Sequence, residues 1–211
     1  MKNYNLIVFD WDGTLVNSAG LIVESVQKVA SDLGFAAPEA SEVSKYIGLS
    51  LAVIHQQLLP DTNYKTFADA FHAHYNEEKL ATYFFSGAIE TLTYLKNQGF
   101  TLAVATNKPR AQLEMALNIA KIKGLFAATR TPDDGFPKPH PDMLTTLLDE
   151  LGNEPQDALM IGDTIFDMEF AKNAGVDALA ACYGHHKKEQ LAAFNPVGFV
   201  EDINDLKEIL K

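Results

Sequence analysis

Near its N-terminus the chain reads Leu6-Ile7-Val8-Phe9-Asp10-Trp11-Asp12-Gly13-Thr14. A short apolar run that ends at a turn signal is typical of a strand buried on both faces of a parallel sheet. We therefore predict a strand at Leu6–Phe9 that ends at Asp10. Polar residues directly after such a strand occupy the position where open parallel sheets bind their ligands.

From residue 83 to the C-terminus, short apolar runs alternate with helical patterns. The predicted strands are Thr101–Ala105, Leu125–Thr129, Ala158–Ile161, Asp177–Cys182 and a last short strand within Phe199–Lys211, which also holds a final helix. The predicted helices are Ala88–Gln98, Pro109–Ile119, Pro141–Leu151 and Thr164–Asn173. Strands that alternate with helices indicate an α/β fold with a doubly wound, parallel, Rossmann-like sheet.

A helical zone interrupts this alternation after the first strand. The segment Ala19–Leu33 has apolar residues at helical spacing and stops at Gly34, and Phe67, Phe71 and Tyr75 form a second apolar stripe. We interpret the stripe as buried packing within an inserted α-helical cap. The predicted division is a core domain of residues 1–16 and 83–211 and a cap domain of residues 17–82.

The composition is that of a globular chain with an acidic balance. Its 211 residues include 28 acidic and 17 basic ones, for a formal net charge of −11, which argues against nucleic acid as the main ligand. No apolar run reaches the ~18 residues of a membrane span. The N-terminus lacks a signal-peptide pattern and Cys182 is the single cysteine, so we expect a cytoplasmic protein. We expect it to be a monomer or a homodimer.

The residues after the other strands are polar as well. Thr106-Asn107-Lys108 follows the second strand, Lys138 follows the third across a turn-rich loop, and Asp163 and Asp167 follow the fourth. Carboxyl ends of parallel strands meet at one edge of the sheet. We therefore expect these side chains to join Asp10 and Asp12 in one site.

These residue types suit phosphoryl transfer. Asp10 is the candidate nucleophile, because a carboxylate can accept a phosphoryl group and return it to water. Asp12 is the candidate acid and base, and Gly13 lets the chain turn sharply beside it. Mg²⁺ prefers carboxylate oxygens, which makes Asp10 and Asp163 its candidate ligands.

The remaining candidates support this chemistry. The Thr106 hydroxyl and the Lys138 ammonium would bind phosphoryl oxygens, and Asp167 would support the metal ligands. Taken singly, each feature has an ordinary meaning. Asp12-Gly13 is a common turn, Asp163 suits a helix N-cap, and Asp167 suits a solvated helix face.

The motifs Phe9–Ser18, Thr106–Lys108, Lys138–Pro141 and Gly162–Met168 resemble those of the haloacid dehalogenase-like hydrolase superfamily, in its phosphoglycolate phosphatase-like branch. The resemblance implies a Mg²⁺-dependent phosphatase of a small phosphorylated metabolite such as phosphoglycolate. It adds the Asp12 backbone carbonyl as a metal ligand and the Asn107 backbone amide as a phosphate ligand. It also implies that the segment Tyr46–Ser50 sets specificity and closes over Asp10.

Several alternatives stay open. A phosphosugar mutase would keep these motifs, a dehalogenase would not need Asp12 and Asp163, and a phosphonoacetaldehyde hydrolase would need a cap lysine such as Lys28 or Lys45. A phospho-accepting signalling module and a protein of this fold that only binds its ligand are the alternatives outside catalysis. The pair His185-His186 is assigned to a polar loop without a role.

Overall fold

A computed structural model of the chain describes residues 2–75 and 83–211. The six strands are β1 (Leu6–Phe9), β2 (Thr101–Ala105), β3 (Ala128–Arg130), β4 (Ala158–Gly162), β5 (Asp177–Ala181) and β6 (Gly198–Val200). They form one sheet in the order β3-β2-β1-β4-β5-β6, and every neighbouring pair is parallel. The predicted doubly wound parallel sheet is confirmed.

Helices flank this sheet and fill the segment after β1. The described helices are α1 (Ala19–Asp32), α2 (Ala40–Ser44), α3 (Leu51–Leu58), α4 (Tyr64–His74), α5 (Ala88–Asn97), α6 (Arg110–Ile119), α7 (Asp142–Leu151), α8 (Ile165–Asn173), α9 (Lys188–Ala192) and α10 (Leu206–Ile209). None of these described helices is both long enough and apolar enough to cross a membrane.

The central strand β1 explains why the sheet is buried on both faces. Side chains alternate along a strand, so Leu6 and Val8 face one side while Ile7 and Phe9 face the other. Each pair belongs to a different apolar cluster, and all four side chains are fully buried. Burial on both faces accounts for a strand that is apolar at every position rather than at alternate ones.

The helices α1 to α4 form the predicted helical cap above the sheet. The stripe of Phe67, Phe71 and Tyr75 is buried as predicted, and it belongs to the same apolar cluster as Phe9 of the sheet. One continuous cluster therefore connects the cap helices with the sheet.

Two backbone segments lie side by side where the chain enters and leaves the cap. Val16 forms an antiparallel bridge with Phe84, and the Asn17 N–H donates to the Tyr83 carbonyl over 2.8 Å. The division into residues 1–16, 17–82 and 83–211 stays a prediction, and residues 76–82 lie outside the described part of the chain.

Some predicted element bounds are wrong. The strand predicted at Leu125–Thr129 is Ala128–Arg130, and a 3₁₀ turn occupies Lys123–Leu125. The apolar residues there belong to a turn rather than to a strand. Ile122 and Phe126 flank this turn, and both are buried in the core, which explains the apolar pattern. Pro109 and Pro141 stand one position before their helices instead of in the first helical position.

Candidate active site

The predicted site residues meet at the carboxyl edge of the sheet. Asp10 follows β1, Thr106 follows β2, Lys138 lies in the loop after β3, and Asp163 follows β4. All four are nearly inaccessible to solvent. Such burial of polar groups requires that they bind one another or a ligand.

Three buried carboxylates form the centre of this site. Oxygen atoms of Asp10, Asp163 and Asp167 lie within 4.8 Å of one another. The Lys138 ammonium joins two of them, donating to Asp10 Oδ1 over 2.8 Å and to Asp167 Oδ1 over 2.7 Å. The loop lysine is therefore an integral part of the carboxylate cluster.

Asp163 is held by groups from two other loops. The Thr14 hydroxyl donates to Asp163 Oδ1 over 2.7 Å, and the backbone N–H of His185 donates to Oδ2 over 2.8 Å. Gly13 comes so close that a Cβ at its position would lie 2.2 Å from Asp163 Oδ2. Its φ of 87° also lies in the left-handed region that favours glycine, so both space and conformation require glycine at this turn.

The electrostatics of the cluster fit a divalent cation. Burial raises the pKa of Asp10 to about 7; Lys138 opposes this increase, and the charges of Asp167 and Asp12 add to it. Burial, together with Asp167 and Asp10, raises the pKa of Asp163 well above its ordinary value. Lys138 supplies one positive charge against three carboxylates, so a divalent ion with a preference for oxygen ligands suits the remaining charge.

Asp167 starts helix α8 and also contributes to the cluster. The Thr164 side chain accepts from the Asp167 N–H, while Asp167 Oδ2 accepts from the Thr164 N–H over 3.0 Å, which makes a capping box. The helix N-cap is therefore Thr164, and the N-cap alternative for Asp163 is wrong. Since Asp167 is buried, the solvated-face alternative for it is wrong as well.

The side chain of Asp12 points to the cap rather than to the carboxylate cluster. The hydroxyl of Tyr75, at the end of α4, donates to Asp12 Oδ1 over 3.0 Å. The Lys108 ammonium lies 3.5 Å from Asp12 Oδ2 and 3.2 Å from the Tyr75 hydroxyl oxygen. The cap thus supplies a direct hydrogen bond to the predicted acid and base.

The prediction of Tyr75 as packing alone is therefore incomplete, and Lys108, expected at the site without a specific role, contacts Asp12. A general signal was present for Tyr75, because a buried tyrosine hydroxyl needs a polar partner. The periodicity of a helix identifies its buried face, but it does not name the residue that the buried hydroxyl meets. That partner is Asp12, in the loop after β1 and 63 residues away in sequence.

Asn107 connects the cap with the site through its side chain. Its Nδ2 donates to the Gly48 carbonyl over 2.8 Å, and its Oδ1 accepts from the Lys138 N–H over 2.9 Å. The family resemblance points to the backbone amide of Asn107, and this contact of its side chain has no signal in the sequence. The Thr106 hydroxyl accepts from the Lys108 N–H over 3.2 Å, so it faces the same turn.

A cavity with a volume of about 70 Å³ lies between the cap helices and the strand ends. Asp10, Asp12 and Thr106 line it from the sheet, and Ile47–Leu49 lines it from the cap. The segment Tyr46–Ser50 therefore contributes to the cavity that contains Asp10. Whether it determines specificity remains a prediction.

The two histidines after β5 form hydrogen bonds with Asp163 and with the start of α8. Besides the His185 contact above, the His186 N–H donates to the Asp163 carbonyl over 3.2 Å, and His186 Nδ1 accepts from the Ile165 N–H over 2.9 Å. Burial lowers the pKa of His186, which favours the neutral ring that this acceptor role requires. Within residues 2–75 and 83–211, the three carboxylates above are the one group of potential metal ligands.

The two cap lysines considered for Schiff-base chemistry lie on the surface. Lys28 pairs with Glu24 and Lys45 pairs with Glu42, and all four side chains are about half exposed. Glu42 raises the pKa of Lys45, the opposite of what an amine nucleophile needs. These contacts argue against Lys28 and Lys45 as the Schiff-base lysine of a phosphonoacetaldehyde hydrolase.

The fold and site define a Rossmann-like α/β protein with a buried acidic centre under a helical cap. Known proteins match this description. A family model described as haloacid dehalogenase-like hydrolase matches residues 7–181. A phosphoglycolate phosphatase from Aquifex aeolicus is 34% identical over 184 residues, which are 86% of this chain and 86% of that protein. A pyrophosphatase PpaX from Bacillus cereus is 32% identical over 213 residues, with 98% and 96% covered.

A solved structure agrees with these sequence matches. The crystal structure of a predicted phosphoglycolate phosphatase from Haemophilus somnus has a TM-score of 0.89 and 28% identity, and the match covers 100% of both chains. The chain belongs to the haloacid dehalogenase-like hydrolases, so the predicted resemblance is confirmed and the protein is an enzyme. Its strand order also differs from the 2-1-3-4-5 order of receiver-type signalling modules, which contradicts that alternative.

Proposed function

We propose that this enzyme is a Mg²⁺-dependent phosphatase that hydrolyses a small phosphomonoester through a phosphoaspartate at Asp10. One observation carries the proposal: Asp10, Asp163 and Asp167 meet with the Lys138 ammonium in a single buried cluster. Asp12 and Thr106 line the same cavity as Asp10. The names of the related phosphatases support the same reaction class.

Asp10 is the nucleophile in this proposal. One of its carboxylate oxygens forms a bond to phosphorus while the bond from phosphorus to the ester oxygen breaks. A nucleophilic carboxylate must be ionised, and Lys138 favours the ionised form through its 2.8 Å hydrogen bond. The Thr106 hydroxyl and the Asn107 backbone amide would bind the phosphoryl oxygens.

Asp12 handles the proton in both steps. It first protonates the oxygen of the leaving alcohol, and it then takes a proton from the water that attacks the phosphoaspartate. That attack breaks the bond between phosphorus and the Asp10 oxygen, and it releases inorganic phosphate. The contact between Tyr75 and Asp12 Oδ1 would hold the carboxyl in place for both transfers.

The metal would be held by the carboxylates of Asp10 and Asp163 and by the backbone carbonyl of Asp12, with Asp167 as support. When bound, Mg²⁺ would neutralise charge on the phosphoryl oxygens and allow a dianionic ester to approach two carboxylates. Glycine at position 13 keeps this region open, since any side chain there would overlap Asp163.

A screen of phosphorylated metabolites, with Mg²⁺ and with a chelator, tests the proposal. We expect at least one ester to release free phosphate with Mg²⁺ and to stop doing so with the chelator. Asp10→Asn should abolish the release, whereas Asp149→Asn, at an exposed position of α7, should keep it. Unchanged release by Asp10→Asn would contradict the mechanism, and an isomeric sugar phosphate in place of free phosphate would indicate a mutase.

A further inference from the structure

Among the residues that the structure describes, the wall that the cap helices present to the cavity is apolar apart from the Tyr75 hydroxyl, which already binds Asp12. The cavity has a volume of about 70 Å³. Asp10, Asp12 and Thr106 lie on the sheet side, where the phosphoryl group would bind. The opposite side is lined by Ile22, Ile47, Leu49, Leu51, Ile54 and Phe71.

The polar side chains that line the rest of the cavity already bind other protein groups. Asn107 Nδ2 donates to the Gly48 carbonyl over 2.8 Å. Gln112 Nε2 lies 2.5 Å from His72 Nδ1. A substrate that used either side chain would have to displace an existing hydrogen bond, which offsets much of the gain.

Lys108 is the one cation among the described residues that line the cavity. Its ammonium contacts Asp12 Oδ2 at 3.5 Å, and it lies 4.6 Å from the centre of the Tyr75 ring. A substrate carboxylate at this point would also face the Asp12 carboxylate. Lys108 is therefore placed to balance the charge of Asp12 rather than to receive an anionic leaving group.

We propose that the preferred substrate carries a short, uncharged, apolar alcohol on its phosphate. Burying a methyl or methylene group against the six apolar side chains is favourable, whereas burying a carboxylate there without a partner is costly. The inference rests on the proposed function. The substrate that it predicts for this chain differs from the substrate in the name of the phosphoglycolate phosphatase relative.

Isobutyl phosphate and phosphoglycolate provide the sharpest comparison. In each, a CH₂ group joins the phosphate to a carbon with two terminal groups, which are methyls in the first and carboxylate oxygens in the second. We expect kcat/KM with Mg²⁺ to be at least about tenfold higher for isobutyl phosphate. A higher value for phosphoglycolate would overturn the inference and leave the proposed phosphatase activity intact.

Two lysine substitutions on the same helix provide a matched pair. Leu51 and Leu58 are both half-buried leucines of α3, and Leu51 lines the cavity whereas Leu58 does not. Leu51→Lys should lower the ratio of isobutyl phosphate to phosphoglycolate turnover at least about tenfold, and Leu58→Lys should keep it. Thermal unfolding of both variants checks that they fold.

Other outcomes also have a defined meaning. Equal ratios in the Leu51→Lys and Leu58→Lys variants would overturn the inference, because the wall would then not contact the alcohol. If no ester releases phosphate with Mg²⁺, the proposed function fails and the inference fails with it. The two failures are distinguishable, since the first leaves phosphate release measurable.

Discussion

Lys138 is the residue that makes a buried cluster of carboxylates compatible with folding. Its ammonium is almost fully buried and contacts both Asp10 and Asp167. Burial opposes the charged form of Lys138, but those two acids raise its pKa, so the ammonium stays charged. A buried charge that loses its partner is strongly destabilising.

Lys138→Met should therefore lower the free energy of unfolding by about 3–5 kcal/mol when no metal is present. Urea denaturation in a chelating buffer measures this change. Lys172→Met is the control, because Lys172 is exposed on α8, and it should change stability by less than about 0.5 kcal/mol. Equal effects of the two substitutions would show that Lys138 does not balance the cluster.

Tyr75 is a cap residue that contacts the carboxylate of the proposed proton transfer. Tyr75→Phe keeps the ring and removes the hydroxyl that contacts Asp12. We expect kcat to fall about tenfold for an alkyl phosphate, whose leaving oxygen needs a proton, and far less for p-nitrophenyl phosphate, whose leaving group does not. A purely structural role would reduce both rates alike, and Tyr94→Phe on α5 is the control.

At the scale of elements, the loop after β3 is fastened to the start of α6. Asp134 accepts hydrogen bonds from the Thr131 N–H over 2.9 Å and from the Arg110 guanidinium. Although partial burial opposes the change, these donors hold the pKa of Asp134 below its ordinary value of 3.8. This loop leads to Lys138, so its anchoring matters for the site.

The pH dependence of stability follows from this lowered pKa. When the folded pKa lies below the unfolded one, the stabilisation is complete above about pH 4 and is lost as pH falls through the folded pKa. Asp134→Asn should therefore lower the melting temperature at pH 7, and the difference should shrink toward pH 2. Thermal unfolding at several pH values measures it, and a difference that grows toward low pH would contradict the assignment.

The central elements could be predicted from the sequence, and the edge elements less well. Strands β1 and β4, and β2 after its first residue Thr101, consist of buried residues without polar side chains, which makes their bounds visible. The edge strands β3 and β6 have three residues each and weaker patterns. A pattern of apolar residues does not distinguish a short edge strand from a turn that also buries its side chains.

At the scale of the molecule, the strand order assembles the site. Asp10 and Asp163 are 153 positions apart in the 211-residue chain, yet β1 and β4 are direct neighbours, so their carboxyl ends meet. The motifs indicated these residues because each follows a strand. The cap contacts of Tyr75, Asn107 and Lys108 could not be predicted in the same way, because they depend on how the cap lies above the sheet.

Metal binding should stabilise the whole molecule. A ligand that binds the folded state alone adds about 2.7 kcal/mol when its concentration is a hundred times Kd. Mg²⁺ should therefore raise the melting temperature of the unsubstituted chain and of Asp149→Asn. Asp163→Asn should lose that increase, since it removes a carboxylate from the cluster, and an undiminished increase would exclude Asp163 as a ligand.

The central claim is that a phosphoryl group passes through Asp10. Turnover of p-nitrophenyl phosphate, whose leaving group needs no proton from Asp12, measures this directly when it is carried out with Mg²⁺, stopped by acid and followed by peptide mass spectrometry. We predict one phosphoryl group on the peptide that contains Asp10, increased in the Asp12→Asn variant because hydrolysis of the intermediate is then slow, and absent in Asp10→Asn. Turnover with no phosphorylated Asp10 peptide in either the unsubstituted chain or Asp12→Asn, or with the phosphoryl group on another residue, would contradict the account.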